Sequence, residues 1–276
     1  MKKIVLLALA LISLQAVAQK KEKIKGNREV LIKRFGVPSF TQLEVGEKFE
    51  IYIRKATDTT EVVIETDDNL FDVIHFKVEN DILHFNTSKE IVKKKRLRIT
   101  VFVTDRFHTI NLVKKGKVFN DEELVLDQLK ITSIERGKTD LNLKIANGVE
   151  INASDKSKLK FNLKSKSAKI NMHNNSSMEG MINVKNLDVH LDDHASCTLE
   201  GVAHQMLADV QNKADLNFRN VDTKDAVIKA ADKSSAKINA SGNLVLKLSG
   251  DSETTIYNSP TINLKRFKDN AKLYKK

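Results

Sequence analysis

From about Leu129 onward, apolar and polar residues alternate in short runs that are separated by polar turns. Leu159-x-Phe161-x-Leu163 is one such run, and Lys, Asn, Asp and Ser fill the positions between the apolar residues. A period of two predicts β-strands with one buried face, and no long stretch shows the period of a helix. The second half of the chain is therefore predicted to be all-β.

The turns between these runs recur every 18 to 20 residues, and each ends in Ser or Ala two positions after Asp or Asn, or after Gly in one copy. We name the first position the turn column: Asp155, Asn174, Asp193, Asn212, Asp232, Gly250 and Asp269. We name the third position the small column: Ser157, Ser176, Ala195, Ala214, Ser234, Ser252 and Ala271. Arg136-Gly137-Lys138 lies 19 residues before the first turn and is interpreted as a degenerate copy.

A unit this short cannot bury its own apolar face, so successive copies must stack. Strands at the same phase then lie side by side in parallel, about 4.8 Å apart. The sequence predicts a single-stranded parallel β-helix with about 19 residues per rung. Small side chains fit its tight corners, where Asp and Asn tolerate left-handed backbone geometry. Acidic and neutral residues alternate along the turn column, which relieves repulsion between stacked carboxylates.

The N-terminus has the pattern of a secretory signal peptide. Lys2 and Lys3 precede an apolar run from Ile4 to Leu14, and a small-residue cleavage site ends at Ala18. A membrane anchor needs about 20 apolar residues, more than this run supplies. Residues 1–18 are therefore predicted to be removed on export.

The remaining chain is predicted to have three parts. Residues 19–36 are basic and poorly patterned at their start, so we expect a flexible lead-in. Residues 37–128 are rich in strand patterns but irregular. Residues 129–276 hold the regular repeats, continuous with the irregular part.

Four segments carry a family resemblance: Phe49–Ile53, Ile64–Ile74 with its Asp-Asn-Leu motif, Asn80–Phe85 and Ile256–Pro260. Together they resemble the auto-transporter adhesin family with the head GIN domain, found in exported proteins of Bacteroidetes-type bacteria. The resemblance covers about Val37 to the C-terminus. It implies a right-handed β-helix of pectin-lyase-like topology and a role in adhesion, with no catalytic residues to carry over. The family's corners are rich in Ser and Gly, whereas this chain uses Asp or Asn with Ser or Ala.

Composition narrows the choice of partner. The formal charge is +11, aromatic residues make up 5% of the chain, and there is one Cys. A single Cys excludes an internal disulfide framework. Cys197 shares its phase with Leu159, Met178 and Leu216, so we expect it to be buried. An exported basic protein is not expected to bind nucleic acid; an anionic polysaccharide or another envelope component fits better, with a merely solvated surface as the alternative.

Catalytic and metal signals are weak. His173, His190 and His194 lie on adjacent rungs but at different phases, which does not favour zinc, and the neutral members of the turn column weaken the case for calcium. Asp192 and Asp193 beside them are interpreted as solvated turn residues. The sequence therefore predicts no cofactor, no metal and no catalytic residue.

Three functions remain open from the sequence. The first is an exported, non-enzymatic, adhesin-like binding protein of the cell envelope, with a glycan as the candidate ligand. The second is a carbohydrate-active lyase or hydrolase, which requires a groove lined by clustered Asp, Arg and Lys. The third is a periplasmic structural or assembly protein that associates through exposed strand edges. The periplasm is the first expected location, and the cell surface or the medium the second.

Overall fold

A computed structural model describes residues 21–276 and shows a β-solenoid. Strands make up 67% and helix 2% of the structure, and about 9 turns follow one another with about 19 residues per rung. The predicted all-β, β-helical fold is thereby confirmed. The predicted signal peptide, residues 1–18, lies outside the described residues. Within residues 21–276, no helix has the length and apolar character needed to cross a membrane.

The strands of the N-terminal part are β1 (Lys23–Lys25), β2 (Val30–Gly36), β3 (Gln42–Val45), β4 (Glu50–Lys55), β5 (Glu61–Asp67), β6 (Ile74–Glu79), β7 (Ile82–Thr87), β8 (Glu90–Lys93), β9 (Leu97–Val103), β10 (Thr109–Leu112) and β11 (Lys117–Phe119). A 3₁₀ helix, Asp68–Val73, lies between β5 and β6. The strands of the regular part are β12 (Leu124–Ser133), β13 (Lys138–Ala153), β14 (Lys158–Met172), β15 (Ser177–Leu191), β16 (Ser196–Val210), β17 (Asp215–Ala230), β18 (Ser235–Ala240), β19 (Asn243–Leu248), β20 (Glu253–Tyr257), β21 (Thr261–Phe267) and β22 (Lys272–Lys275).

Strands β12 to β17 form a stack in which each strand pairs in parallel with the next. One core column runs through Leu159, Met178, Cys197 and Leu216, which are paired partners on successive strands. All four side chains are buried, as their shared phase predicted. Burial raises the pKa of the Cys197 thiol, so its reactive thiolate form is disfavoured.

The N-terminal part departs from parallel stacking. β2 pairs antiparallel with β5, β5 pairs antiparallel with β9, and β6 with β7 forms a hairpin. The sequence predicts a flexible lead-in over residues 19–36, whereas the structure has β1 paired with β8 and β2 paired with β5 in this segment. Most side chains of β2 are exposed. This segment is therefore held in place by backbone hydrogen bonds between strands. Such pairing leaves no clear hydrophobic pattern in the sequence.

Asp67 fixes the position of two distant segments in this part. Its buried carboxylate accepts hydrogen bonds from the backbone N–H groups of Arg28 (3.2 Å), Lys95 (3.0 Å) and Arg96 (3.1 Å). Burial by itself raises the pKa of Asp67, but these donors outweigh it and hold the pKa below its ordinary value. The basic segment around Lys95 is thus tied to the end of β5.

Tight four-residue corners stack along one edge of the solenoid. In eight of them the backbone N–H of the fourth residue donates to the carbonyl of the first, as in Ser157 to Ser154 (3.1 Å). Every member of the turn column has φ between +49° and +71°. Six members of the small column are at most 1% exposed, and Ala271 is half-buried. The corners are therefore left-handed at the first central residue and closely packed behind it.

Neutral members of the turn column donate hydrogen bonds to their acidic neighbours. The Asn174 side-chain amide donates to Asp155 (3.1 Å), and the Gly250 backbone N–H donates to Asp269 (3.0 Å). The Asn212 backbone N–H donates to Asp232 (3.3 Å). Alternation thus supplies a donor to each of these carboxylates as well as separating like charges.

The corners fall into two classes by backbone conformation. In the upstream corners both central residues have positive φ: Glu47–Lys48, Lys114–Lys115, Glu135–Arg136, Asp155–Lys156 and Asn174–Asn175. In the downstream corners only the first central residue has positive φ: Asp193–His194, Asn212–Lys213, Asp232–Lys233, Gly250–Asp251 and Asp269–Asn270. These are the φ patterns of type I′ and type II′ turns, which differ by a flip of the central peptide.

The hydrogen bonds between corners show the flip directly. Among upstream corners, the Lys156 N–H donates to the carbonyl of Asn174 in the following corner (3.2 Å). Among downstream corners, the Lys213 N–H donates to the carbonyl of Asp193 in the preceding corner (2.8 Å). At the junction of the two classes, the N–H groups of Asn175 and His194 therefore face each other. Within residues 21–276, no backbone hydrogen bond links these two central peptides.

Candidate functional site

Two surface clefts are large enough to hold an extended ligand. The first, which we name the groove, has a volume of about 960 Å³ and crosses the rungs from His108 to Val245. The second, the basic cleft, has a volume of about 950 Å³. It lies between the upstream corners and a facing segment, Glu90–Leu97, with Lys21 and Thr87 also contributing to its wall.

Cations dominate the wall of the basic cleft. Seven basic residues line it, namely Lys21, Lys48, Lys94, Lys114, Lys115, Arg136 and Lys156. Four acidic residues accompany them, namely Glu47, Glu90, Glu135 and Asp155. Five of the seven basic residues occupy central positions of upstream corners. Because stacked rungs lie about 4.8 Å apart, these corners present their charges as a ladder along the solenoid.

One acidic residue in the cleft is already neutralised. The Lys21 ammonium donates to the Glu47 carboxylate (2.8 Å), and the Thr87 N–H donates to the same carboxylate (3.2 Å). Burial raises the pKa of Glu47, but Lys21 and Thr87 outweigh it and hold the pKa below its ordinary value. Among residues 21–276, none of the six other basic residues of the cleft forms an ion pair with a carboxylate. These six charges face solvent without a partner.

Two members of the predicted turn column, Asp155 and Asn174, reach the basic cleft. Asp155 also accepts a hydrogen bond from the Ser154 hydroxyl (2.8 Å). The other members of the turn column belong to downstream corners and do not line this cleft. The small column lies behind the corners, so its role is in packing.

The groove is flanked by two outward columns of different chemistry. One column is mostly short and polar: Gln128, Gly148, Ser167, Asn186, Gln205, Asp225 and Asn243. The other passes from charged to apolar residues along the solenoid: Lys130, Glu150, Lys169, Asp188, Leu207, Val227 and Val245. The groove is therefore polar and charged at one end and partly apolar at the other.

The groove offers little support for acid catalysis. The Asn152 amide, followed by Lys130 and Lys169, holds the pKa of Glu150 below its ordinary value against the effect of burial. The N–H and side-chain amide of Asn243 do the same for the pKa of Asp225. A general acid needs a pKa near the working pH, so neither carboxyl group suits that role.

The structure brings together three residues that the sequence left unassigned. Suitable ligand atoms of His173, His190 and Asp192 all lie within 4.8 Å of one another. Hydrogen bonds from the Asp193 backbone N–H and the Asn212 amide lower the pKa of Asp192 against the effect of burial. His194, grouped with these histidines in the sequence, is not part of the cluster.

The first corners that build the basic cleft have no turn signature in the sequence. Lys114–Lys115 and Glu47–Lys48 carry neither Asp nor Asn, so they lack the turn signature. The degenerate copy at Arg136-Gly137-Lys138 is displaced by one residue, since the central residues are Glu135–Arg136. The sequence feature that could have identified two of these corners is the glycine at their small position, Gly116 and Gly137.

Solved structures with the same fold come from two Parabacteroides species. A putative adhesin from Parabacteroides merdae ATCC 43184 is 14% identical with a TM-score of 0.63, covering 92% of this chain and 99% of its own. A putative lipid binding protein from Parabacteroides distasonis ATCC 8503 is 14% identical with a TM-score of 0.60, covering 92% and 97%. A putative adhesin from the latter organism is 12% identical with a TM-score of 0.61, covering 92% and 100%. At these identities the likeness concerns the fold alone.

No curated protein matches the chain significantly. The family described as "Putative auto-transporter adhesin, head GIN domain" matches residues 39–162 and 147–260, which together span most of the sequence. The two matched ranges overlap and include both the irregular part and the repeats. The chain therefore belongs to the auto-transporter adhesin family with the head GIN domain.

Proposed function

We propose that this protein is a non-enzymatic, adhesin-like binding protein of the cell envelope that holds an anionic polysaccharide in the basic cleft. The observation that carries the proposal is the set of six basic residues in the cleft that have no carboxylate partner. Basic residues outnumber acidic residues in the wall of the cleft by seven to four, and a local excess of positive charge attracts anionic ligands. A polyanion lying along the stacked corners would contact several of these cations at once.

Family membership and the predicted signal peptide support an exported location. We place the protein in the periplasm, with the cell surface or the medium as the alternative. The corner cations are exposed, so binding is expected to weaken with salt, because exposed charges are screened within about 8 Å at physiological ionic strength.

The test compares two matched double variants in binding to polygalacturonate, a carboxylated polysaccharide used as a probe. Arg136→Gln with Lys156→Gln removes two cations from the second central position of upstream corners. Lys213→Gln with Lys233→Gln removes two cations from the same position of downstream corners, outside the cleft. We expect the first variant to bind at least about tenfold more weakly, which corresponds to about 1.4 kcal/mol.

The downstream variant should bind polygalacturonate like the unchanged protein. Raising the salt concentration should weaken binding by both of these proteins. Equal losses in the two variants would show that net charge, and not the cleft, governs binding. Retention of full affinity by the upstream variant would contradict the proposal.

A second candidate function is binding of an amphiphile in the groove. One end of the groove is charged and the other is apolar, which suits a ligand with a polar head and an apolar tail. Lys130 and Lys169 lie at the charged end, and the apolar end has Leu207, Val227 and Val245. The structural relative named as a putative lipid binding protein adds a fold-level precedent. Binding of a fluorescent fatty acid that is abolished by Val227→Lys, but not by Arg136→Gln, would favour this function. Unchanged binding in Val227→Lys would contradict it.

A further inference from the structure

We propose that His173, His190 and Asp192 form a binding site for a divalent transition-metal ion of the zinc type. The site joins two adjacent rungs. It is separate from the basic cleft and from the groove, since none of its three residues lines either one. The proposal is independent of the polysaccharide function.

The three residues share one outward face because of their register. His190 is the outward partner of Asn171 on the preceding strand, two residues before His173. Asp192 follows His190 by two residues, so it occupies in its own corner the position that His173 occupies in the corner before. Residues two apart on a strand point to the same side. In the sequence, only the histidines were candidate metal ligands, and Asp192 was interpreted as a solvated turn residue.

The geometry is close to that of a chelate. The Nδ1 atom of His173 lies 3.9 Å from the Oδ2 atom of Asp192. The rings of His173 and His190 have centroids 5.6 Å apart and planes inclined at 58°. Ligand atoms bound at about 2.0–2.2 Å around one tetrahedral zinc ion lie about 3.3 Å apart. The ligand atoms in the structure, all within 4.8 Å of one another, are at most about 1.5 Å farther apart than this.

The backbone and neighbouring side chains hold the ligands in place. The N–H of His173 donates to the carbonyl of Ala153 (2.9 Å), and that of Asp192 donates to the carbonyl of Met172 (3.0 Å). The Oδ1 atom of Asp192 accepts from the Asp193 N–H (2.7 Å) and from the Asn212 amide, while Oδ2 is the atom turned toward His173. Such support behind a ligand orients it and strengthens metal binding.

The donor set selects the class of metal. Two imidazole nitrogens and one carboxylate oxygen suit zinc, nickel, copper and cobalt, whereas calcium and magnesium prefer oxygen ligands alone. Asp209, which pairs with His190 on the next strand, is engaged by Gln211 (2.9 Å) and Lys229 (3.6 Å). The three ligands are half-buried, so the remaining coordination positions are left to water.

The experiment titrates Zn²⁺ into protein purified without a histidine tag and stripped with EDTA, in competition with a chromophoric chelator. We expect one saturable equivalent. His190→Gln and Asp192→Asn should each weaken binding at least about tenfold, since even the groups that support metal ligands contribute about 10–100-fold. His204→Gln removes an exposed histidine outside the cluster and should leave the affinity unchanged.

Thermal melting without metal checks that each variant is folded. If His190→Gln does not fold, Asp192→Asn, which keeps the size of the side chain, provides the comparison. A zinc-soaked crystal should give anomalous density between the three side chains. Absence of a saturable equivalent, equal affinity in the cluster variants, or competition by millimolar Ca²⁺ would overturn the proposal.

Discussion

The upstream and downstream corners perform the same task with opposite peptide orientations. Each reverses the chain at the same edge of the solenoid, and each places a left-handed residue first. Upstream, the second central residue is also left-handed, and in three corners its N–H donates to the following corner, as at Lys156. Downstream, the N–H groups of Lys213 and Lys233 donate to the preceding corner. The central peptides of stacked corners can thus form hydrogen bonds in either orientation, provided that adjacent corners have the same orientation.

The two classes also differ in the residues that occupy their left-handed positions. Upstream corners use Lys and Arg at left-handed positions, although L-residues other than Asn and Asp rarely adopt that conformation. Those same residues form the wall of the basic cleft. Downstream corners place Asp or Asn there, with one Gly, as turn preferences favour. Unfavourable backbone conformation is therefore concentrated where the exposed charge is found.

The largest expected effect concerns the small position. Ala195 and Ala214 fill it downstream, but at Gly116 a Cβ atom would lie 2.0 Å from the Val45 carbonyl oxygen. We expect Gly116→Ala to lower the free energy of unfolding by about 3 kcal/mol, because an overpacked backbone must shift. Urea denaturation measures this change in the free energy of unfolding. Gly36→Ala, with no atom within 4 Å of the new Cβ, is the control and should change stability by less than about 0.5 kcal/mol.

The second prediction exchanges the second central residue for glycine in both classes. Arg136 has φ of 68°, so Arg136→Gly relieves a conformation that costs about 1–2 kcal/mol and should stabilise the fold slightly. Lys213 is not left-handed, so Lys213→Gly should lose about 0.5–1 kcal/mol through the entropy of glycine. Chemical denaturation of the pair tests the sign. Equal effects would contradict the assignment of two classes.

The third prediction uses serine hydroxyls of the small column. The Ser157 hydroxyl donates to the Ser133 carbonyl (2.9 Å), whereas the buried hydroxyls of Ser176, in an upstream corner, and Ser234, in a downstream corner, have no hydrogen-bond partner. Ser157→Ala should therefore lose about 1 kcal/mol, and Ser234→Ala should be neutral or stabilising. Thermal unfolding compares them. A loss in Ser234→Ala as large as that in Ser157→Ala would contradict the contrast.

The smallest effect is local and lies at the junction of the classes. The N–H groups of Asn175 and His194 have no backbone acceptor in the structure, whereas those of Lys156 and Lys213 do. Amide hydrogen exchange should be fast at Asn175 and His194 and slower at Lys156 and Lys213. Two-dimensional NMR after transfer to deuterated water resolves the four positions. Uniform protection across them would mean that the peptides do not flip at this point.

The sequence predicted the downstream half well for a physical reason. The corners there place Asp, Asn or Gly at the left-handed first position, and these residue types tolerate that conformation and mark turns in a sequence. The phase of Cys197 followed from the same register. The first corners escaped detection because Glu47–Lys48 and Lys114–Lys115 lack turn residues, and because β5 to β9 intervene between them.

The candidate sites could not be read from the sequence with the same success. The basic cleft combines Lys21 with residues as distant as Lys156, and only the stacked rungs bring them together. The histidine cluster required knowing that His173 and Asp192 occupy equivalent places in consecutive corners. The sequence shows which residues carry charge or could bind a metal ion, whereas the register of the stacked strands determines which of them lie close together.

The peptide flip also limits how the solenoid can grow by duplication. A copied rung inserted among upstream corners finds a donor and an acceptor in the required order, and so does one inserted among downstream corners. A copy that placed a downstream corner before an upstream corner would set two carbonyls face to face, with no donor between them. Within residues 21–276, the corner peptides therefore have one point of reversal, and rungs can be added on either side of that point without disturbing it.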